Sequence, residues 1–137
     1  MGLILDSSVV IAAERRGDTV EQLITWVIGA TGDQDAALSA IGLTELIHGI
    51  YRAQTMEIRR QREAFLNELL VDLTVYPYTK ETALLAGKID GEQQSRGVVI
   101  PFSDLLIGAT ALGLGFQVAT SNLRDFQRIP GLSVVQL

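Results

Sequence analysis

The 137-residue chain has the length of one compact domain, and a chain of this size buries roughly 68–70% of its unfolded surface, so residues 1–137 are expected to fold as a single unit. Apolar residues make up 47% and charged residues 20%, which excludes a disordered chain; the lack of cysteine excludes a disulfide framework and a thiolate zinc site. A formal net charge of −5 argues against a protein that coats nucleic acid through a basic footprint, unless several carboxylates are gathered around a bound cation.

No apolar run approaches the roughly 18 residues of a membrane span. The opening MGLILDSSVV lacks a basic start and is broken by Asp6, unlike a signal peptide. With no cysteine, this composition fits a cytoplasmic protein.

Residues 2–5 (GLIL) form a short apolar run, read as a buried central strand of a parallel sheet. Asp6, Ser7 and Ser8 then offer N-cap chemistry for a helix over residues 9–14. Asp18 is placed to cap a second helix, whose Val20, Leu23, Ile24, Val27 and Ile28 recur at helical spacing until Gly29, Gly32 and Asp33. Residues 36–41 are a second apolar run, the next predicted strand. A third helix starts near Leu43 with a stripe of Leu43, Leu46, Ile47 and Ile50; Glu45 lies off that stripe and Gly49 leaves space one turn further on.

A fourth helix over residues 56–70 sets Ile58, Phe65, Leu66 and Leu69 against Arg59, Arg60 and Arg62. Residues 73–76 form a third strand, ended by Pro77, and Thr79 caps a helix over residues 80–96 that Gly97 terminates. Ser103 is the predicted cap of the next helix, which buries Leu105, Leu106, Ala109 and Leu112 and carries Asp104 in its first turn. A fourth strand covers residues 116–120, Ser121 or Asn122 caps a short helix holding Asp125, and residues 133–137 make the last strand. This alternation predicts an α/β fold with a mainly parallel central sheet and helices on both faces.

Ligands of open parallel sheets bind beyond the carboxyl ends of the strands. Asp6, Glu45 and Asp125 each follow a predicted strand and so belong on one edge; Asp104 joins them if its helix points its N-terminus the same way. Taken singly, each has a plain reading: Asp6 and Asp125 as helix caps, Asp104 as a carboxylate favoured by the helix dipole, Glu45 as a solvated residue. Four gathered carboxylates repel one another, and a divalent cation removes that conflict; Mg2+ and Mn2+ prefer such oxygen ligands. His48 is the only histidine, so no histidine cluster or serine–histidine pair offers a rival chemistry.

The segments LILDSSVVIA, SAIGLTELIHG and IPFSDLLIGATAL followed by FQVATSNLRDFQRIPGL, in this order, resemble PIN-domain ribonucleases of the VapC toxin family, and the match runs nearly end to end. The resemblance implies a three-layer α/β/α fold and a type II toxin: a Mg2+- or Mn2+-dependent endoribonuclease acting on RNA, with transfer RNA as the family-level substrate. It implies catalytic Asp6, Glu45, Asp104 and Asp125, with Asp6, Asp104 and Asp125 holding metal and Ser7, Thr120 and Asn122 in support. It further implies a homodimer and neutralisation by a VapB-like antitoxin in a hetero-oligomer. Arg52, beyond Glu45 and His48, is a candidate RNA contact. Two departures stand out: Ser8 replaces the family's usual amide, and Ser121 stands where arginine is common. A relative that binds RNA or antitoxin without cutting is the alternative. A phospho-receiver reading is disfavoured by the serines after Asp6 and the absence of lysine beyond Lys88.

Overall fold

The computed structural model describes residues 2–137. In chain order it runs β1 (Gly2–Leu5), α1 (Ser7–Arg15), α2 (Val20–Thr31), β2 (Asp35–Ser39), α3 (Ala40–Tyr51), α4 (Met56–Asp72), β3 (Thr74–Tyr76), α5 (Lys80–Ser95), α6 (Phe102–Leu114), β4 (Gln117–Thr120), α7 (Leu123–Phe126) and β5 (Val134–Gln136). Among the described residues the strands form one sheet in the order β3-β2-β1-β4-β5, and every pairing is parallel. The expected α/β class holds, and the sheet is wholly rather than mainly parallel.

β1 is central, and each of its four residues is buried, as a strand covered on both faces requires. Leu3 and Leu5 join Val9, Leu23, Leu46 and Leu69 in a core on one side of the sheet. Ile4 faces the other way, into a core with Ile89, Leu105, Ile107 and Phe126. The alternation of side chains along one strand thus divides α1 to α4 from α5 to α7, giving the three layers. Gly108 lets α6 lie close: a Cβ there would run into the Ile129 side chain.

Several local expectations shift. Thr19, not Asp18, caps α2, in a capping box with Gln22. β2 ends at Ser39, whose hydroxyl accepts from the Gly42 amide, so α3 begins at Ala40 and Ile41 is helical. Ile47 falls outside the buried stripe of α3 at 41% exposed; Gly42, Leu46 and Ile50 form that face. α1 starts at Ser7 and α6 at Phe102, so Ser103 lies inside the helix it was expected to cap. The starts of α1 and α3 share a cause: β1 and β2 flow directly into helices, and the residues at the junction serve either element.

Candidate active site

Asp6 is fixed by the backbone before its side chain acts. Its N–H donates to Ala119 O at 2.9 Å, and its carbonyl accepts from Val9 N at 3.0 Å. Although it occupies the N-cap position of α1, its carboxylate makes no cap hydrogen bond. Instead Oδ2 accepts from Thr120 Oγ1 at 2.8 Å and Ser8 Oγ at 2.7 Å. The plain reading of Asp6 as a helix cap is therefore excluded. Asp6 is 4% exposed and Thr120 fully buried. A carboxylate this enclosed needs donors of this kind.

Glu45 rises from the first half of α3. Ser7 Oγ donates to Oε1 at 3.0 Å, and Ser103 Oγ donates to Oε2 at 3.1 Å. One carboxylate thereby joins α1, α3 and α6. Asn122 also stands at an N-cap position without capping; its amide nitrogen donates to Asp125 Oδ2 at 2.8 Å and Asp104 Oδ2 at 3.3 Å. Asp125 Oδ1 lies 3.9 Å from the Arg128 guanidinium, which also donates to Val99 O at 2.5 Å.

The four predicted carboxylates share one field. Burial, and then the charges of Asp6, Asp125 and Glu45 in that order, push the Asp104 carboxyl up from 3.8 to about 7. The N-terminus of α6 thus points toward the strand ends, the condition on which Asp104's membership depended. Ser7, Thr120 and Asn122 each reach a carboxylate of the set. Arg52 does not; it is exposed on the wall of a trench that also carries Ser7 and Glu45.

Sequence reasoning missed three participants. Ser8 lacks the family's usual amide, yet its hydroxyl donates to Asp6 and accepts from Ser121 N at 3.1 Å. Ser103 was read as a cap. Its position beside Asp104 was a usable signal, but its aim toward Glu45, 58 residues away, was not legible. Arg128 carried a signal in its spacing of three from Asp125, in the turn that follows α7.

The donor set is all oxygen, the chemistry Mg2+ and Mn2+ favour. The hydroxyls bound to Asp6 and the amide bound to Asp104 fall on Oδ2 of each, and no hydrogen bond to either Oδ1 is found among the described residues. Each carboxylate therefore keeps one oxygen for a cation. Among the described residues no three acidic or histidine side chains yet close on one point. The arrangement is an open acidic cleft with held walls rather than a finished cage.

The PIN domain family model matches residues 3–132. Ribonuclease VapC of Rickettsia bellii is 36% identical over 135 residues, covering 98% of this chain and 96% of the relative. The tRNA(fMet)-specific endonuclease VapC of Salmonella typhimurium is 32% identical over 97 residues, covering 71% of each chain. The DNA-bound VapBC structure from Salmonella typhimurium superposes with a TM-score of 0.83 at 25% identity, covering 99% of this chain and 98% of that one. With a family model spanning almost the whole sequence, a full-length VapC relative and the same fold, this chain belongs to the PIN-domain family, among its VapC ribonucleases.

Proposed function

We propose that this protein is the toxin of a type II toxin–antitoxin pair, a Mg2+- or Mn2+-dependent endoribonuclease that hydrolyses RNA, with transfer RNA as its substrate class. The observation that carries this reading is the raised Asp104: a carboxyl held near 7 by burial and three neighbouring carboxylates is a site in want of a cation. Asp6, Asp104 and Asp125 are the residues that would hold it. A bound divalent ion supplies charge neutralisation at a phosphoryl oxygen and a more acidic water.

The chain's own groups do the rest. Thr120 and Ser8 hold Asp6 through one oxygen, and Asn122 sets the spacing of Asp104 and Asp125. Glu45, with both oxygens taken by serine hydroxyls, orients the site and stands ready to receive a proton from the attacking water. The transfer RNA assignment draws on the Salmonella relative's name, and the VapB-like antitoxin on the VapBC structure. Homodimerisation and a cytoplasmic setting follow the same family pattern, and among the described residues no helix is long and apolar enough to cross a membrane.

Cleavage of a transfer RNA pool in Mn2+ tests the reading. Activity should vanish with EDTA and in Asp6→Asn and Asp104→Asn variants that keep the wild-type circular dichroism. Undiminished cleavage by both variants would sink it. A second reading, a relative that binds RNA or antitoxin without cutting, is favoured by the absence of a closed acidic triad among the described residues. Calorimetric titration with Mn2+ separates the two, since the non-cutting relative should bind no metal.

A further inference from the structure

A trench of about 550 Å3 between α1 and α3 adjoins the acidic cleft, for Ser7 and Glu45, which are hydrogen-bonded to each other, belong to the lining of both. Arg15, in the last turn of α1, lines it from one side. His48 and Arg52, at the end of α3, line it from the other, with Arg62 of α4 beside them. Three guanidiniums thus meet one carboxylate in a chain whose net charge is −5. Arg62 is committed: it donates to Gly49 O at 2.8 Å and lies 3.8 Å from Glu14. Arg15 and Arg52 are exposed, and neither joins an ion pair among the described residues.

We propose that this trench is the track for the phosphodiester backbone of the RNA strand leading into the cleft, and that Arg15 and Arg52 hold its phosphates. The proposal rests on the ribonuclease reading above. A strand approaching four carboxylates is repelled unless cations meet its phosphates first, and a planar guanidinium matches a phosphate through paired hydrogen bonds. A cation at a helix C-terminus is favoured by the helix dipole with no ligand at all. That effect leaves unexplained why free guanidiniums from two helices line one depression together with Glu45. A neighbouring recess of about 90 Å3, lined by Val10, Leu46 and Phe65 and sharing Arg15 and Arg62 with the trench, suits an apolar side chain, but neither Ser7, Glu45 nor Arg52 lines it.

Fluorescence anisotropy with a fluorescein-labelled single-stranded RNA oligonucleotide in EDTA, read across a salt series, tests the track without requiring cleavage. Each phosphate contact on a single strand contributes about 0.7 to the slope of log K against log salt. Arg15→Ala and Arg52→Ala should each weaken binding about fivefold and make the slope shallower by about 0.7. Arg60→Ala, exposed on α4 outside the trench lining, should change neither by as much. Arg15→Lys and Arg52→Lys, which keep the charge, should restore the slope and part of the affinity.

Wild-type affinity and slope in a folded Arg15→Ala/Arg52→Ala variant would overturn the track, as would equal losses in Arg60→Ala. Unchanged RNA affinity with lost inhibition by an antitoxin would assign the trench to a protein segment and also overturn it. A parallel Mn2+ cleavage assay separates the two readings. Wild-type cleavage with unaltered slopes defeats the track alone, whereas absent cleavage with the expected slopes defeats the ribonuclease reading and leaves the track as an RNA-binding site.

Discussion

The Ser103 hydroxyl donates to Glu45 Oε2 at 3.1 Å and so ties the first turn of α6 to α3, one residue before Asp104. Because Ser7 holds the other oxygen, Glu45 is gripped from two helices at once. A hydrogen bond to a charged group contributes about 1.5–3 kcal/mol, less where water competes. Ser103→Ala should lower kcat about tenfold, or about 1.4 kcal/mol, with little change in KM. Ser103→Thr, which retains the hydroxyl, should recover most of it. Steady-state kinetics on a transfer RNA substrate measures both, and equal loss in the threonine variant would show that the side chain merely packs.

Asp104 makes the metal-free protein sensitive to pH. Its folded value of about 7 lies above the ordinary 3.8, so between the two the folded state keeps a proton that the unfolded chain releases. The associated stability is fully present below about pH 4 and is lost as pH rises to about 7. Urea midpoints in EDTA should therefore fall across that window more steeply for the wild type than for Asp104→Asn. At pH 8 the asparagine variant should be the more stable of the two in EDTA, and the less stabilised by added Mn2+.

Thr120 is fully buried and makes two bonds through one hydroxyl, donating to Asp6 and accepting from Asn122 N at 2.9 Å. Thr120→Val keeps the shape, leaves Asn122 N without its acceptor and leaves Asp6 with the Ser8 hydroxyl alone, which costs about 1–3 kcal/mol for a buried group left unsatisfied. A lower melting temperature and weaker Mn2+ affinity by calorimetry are expected together. Thr120→Ser should preserve the Mn2+ affinity.

Gly108 packs α6 against Ile129, which is 2% exposed and so has little room to swing aside. Gly108→Val should destabilise the protein by about 1–3 kcal/mol through overpacking. Shortening the opposing side chain with Ile129→Ala in the same protein should return part of the loss, measurable as non-additive urea midpoints.

The layer order and the site's location were legible in the sequence because both depend on period and position. The GLIL run reads as a buried central strand, and Asp6, Glu45 and Asp125 each follow a predicted strand within a few residues. What was not legible was how hydroxyls are shared between distant segments. Ser8 and Ser103 look like ordinary caps locally; the approach of β4 to β1 brings the Ser121 amide onto the Ser8 hydroxyl, and the approach of α6 to α3 turns Ser103 toward Glu45. Asp104's membership depended likewise on the aim of a helix, which tertiary packing sets. The place of Arg52 near Glu45 follows from helical spacing, but its counterpart Arg15, 37 positions earlier in the sequence, lines the same trench only once α1 lies beside α3.

The placement of β4 beside β1 also governs when the protein can become dangerous to the cell that makes it. Asp6 leaves the ribosome more than a hundred residues ahead of its anchors, Ala119 and Thr120, and of its companion Asp125, which arrive only with β4 and α7. A chain still in synthesis carries β1 with an empty edge and half an acidic cleft. RNA around the ribosome therefore meets no finished nuclease until β4 and α7 have been translated and docked beside β1.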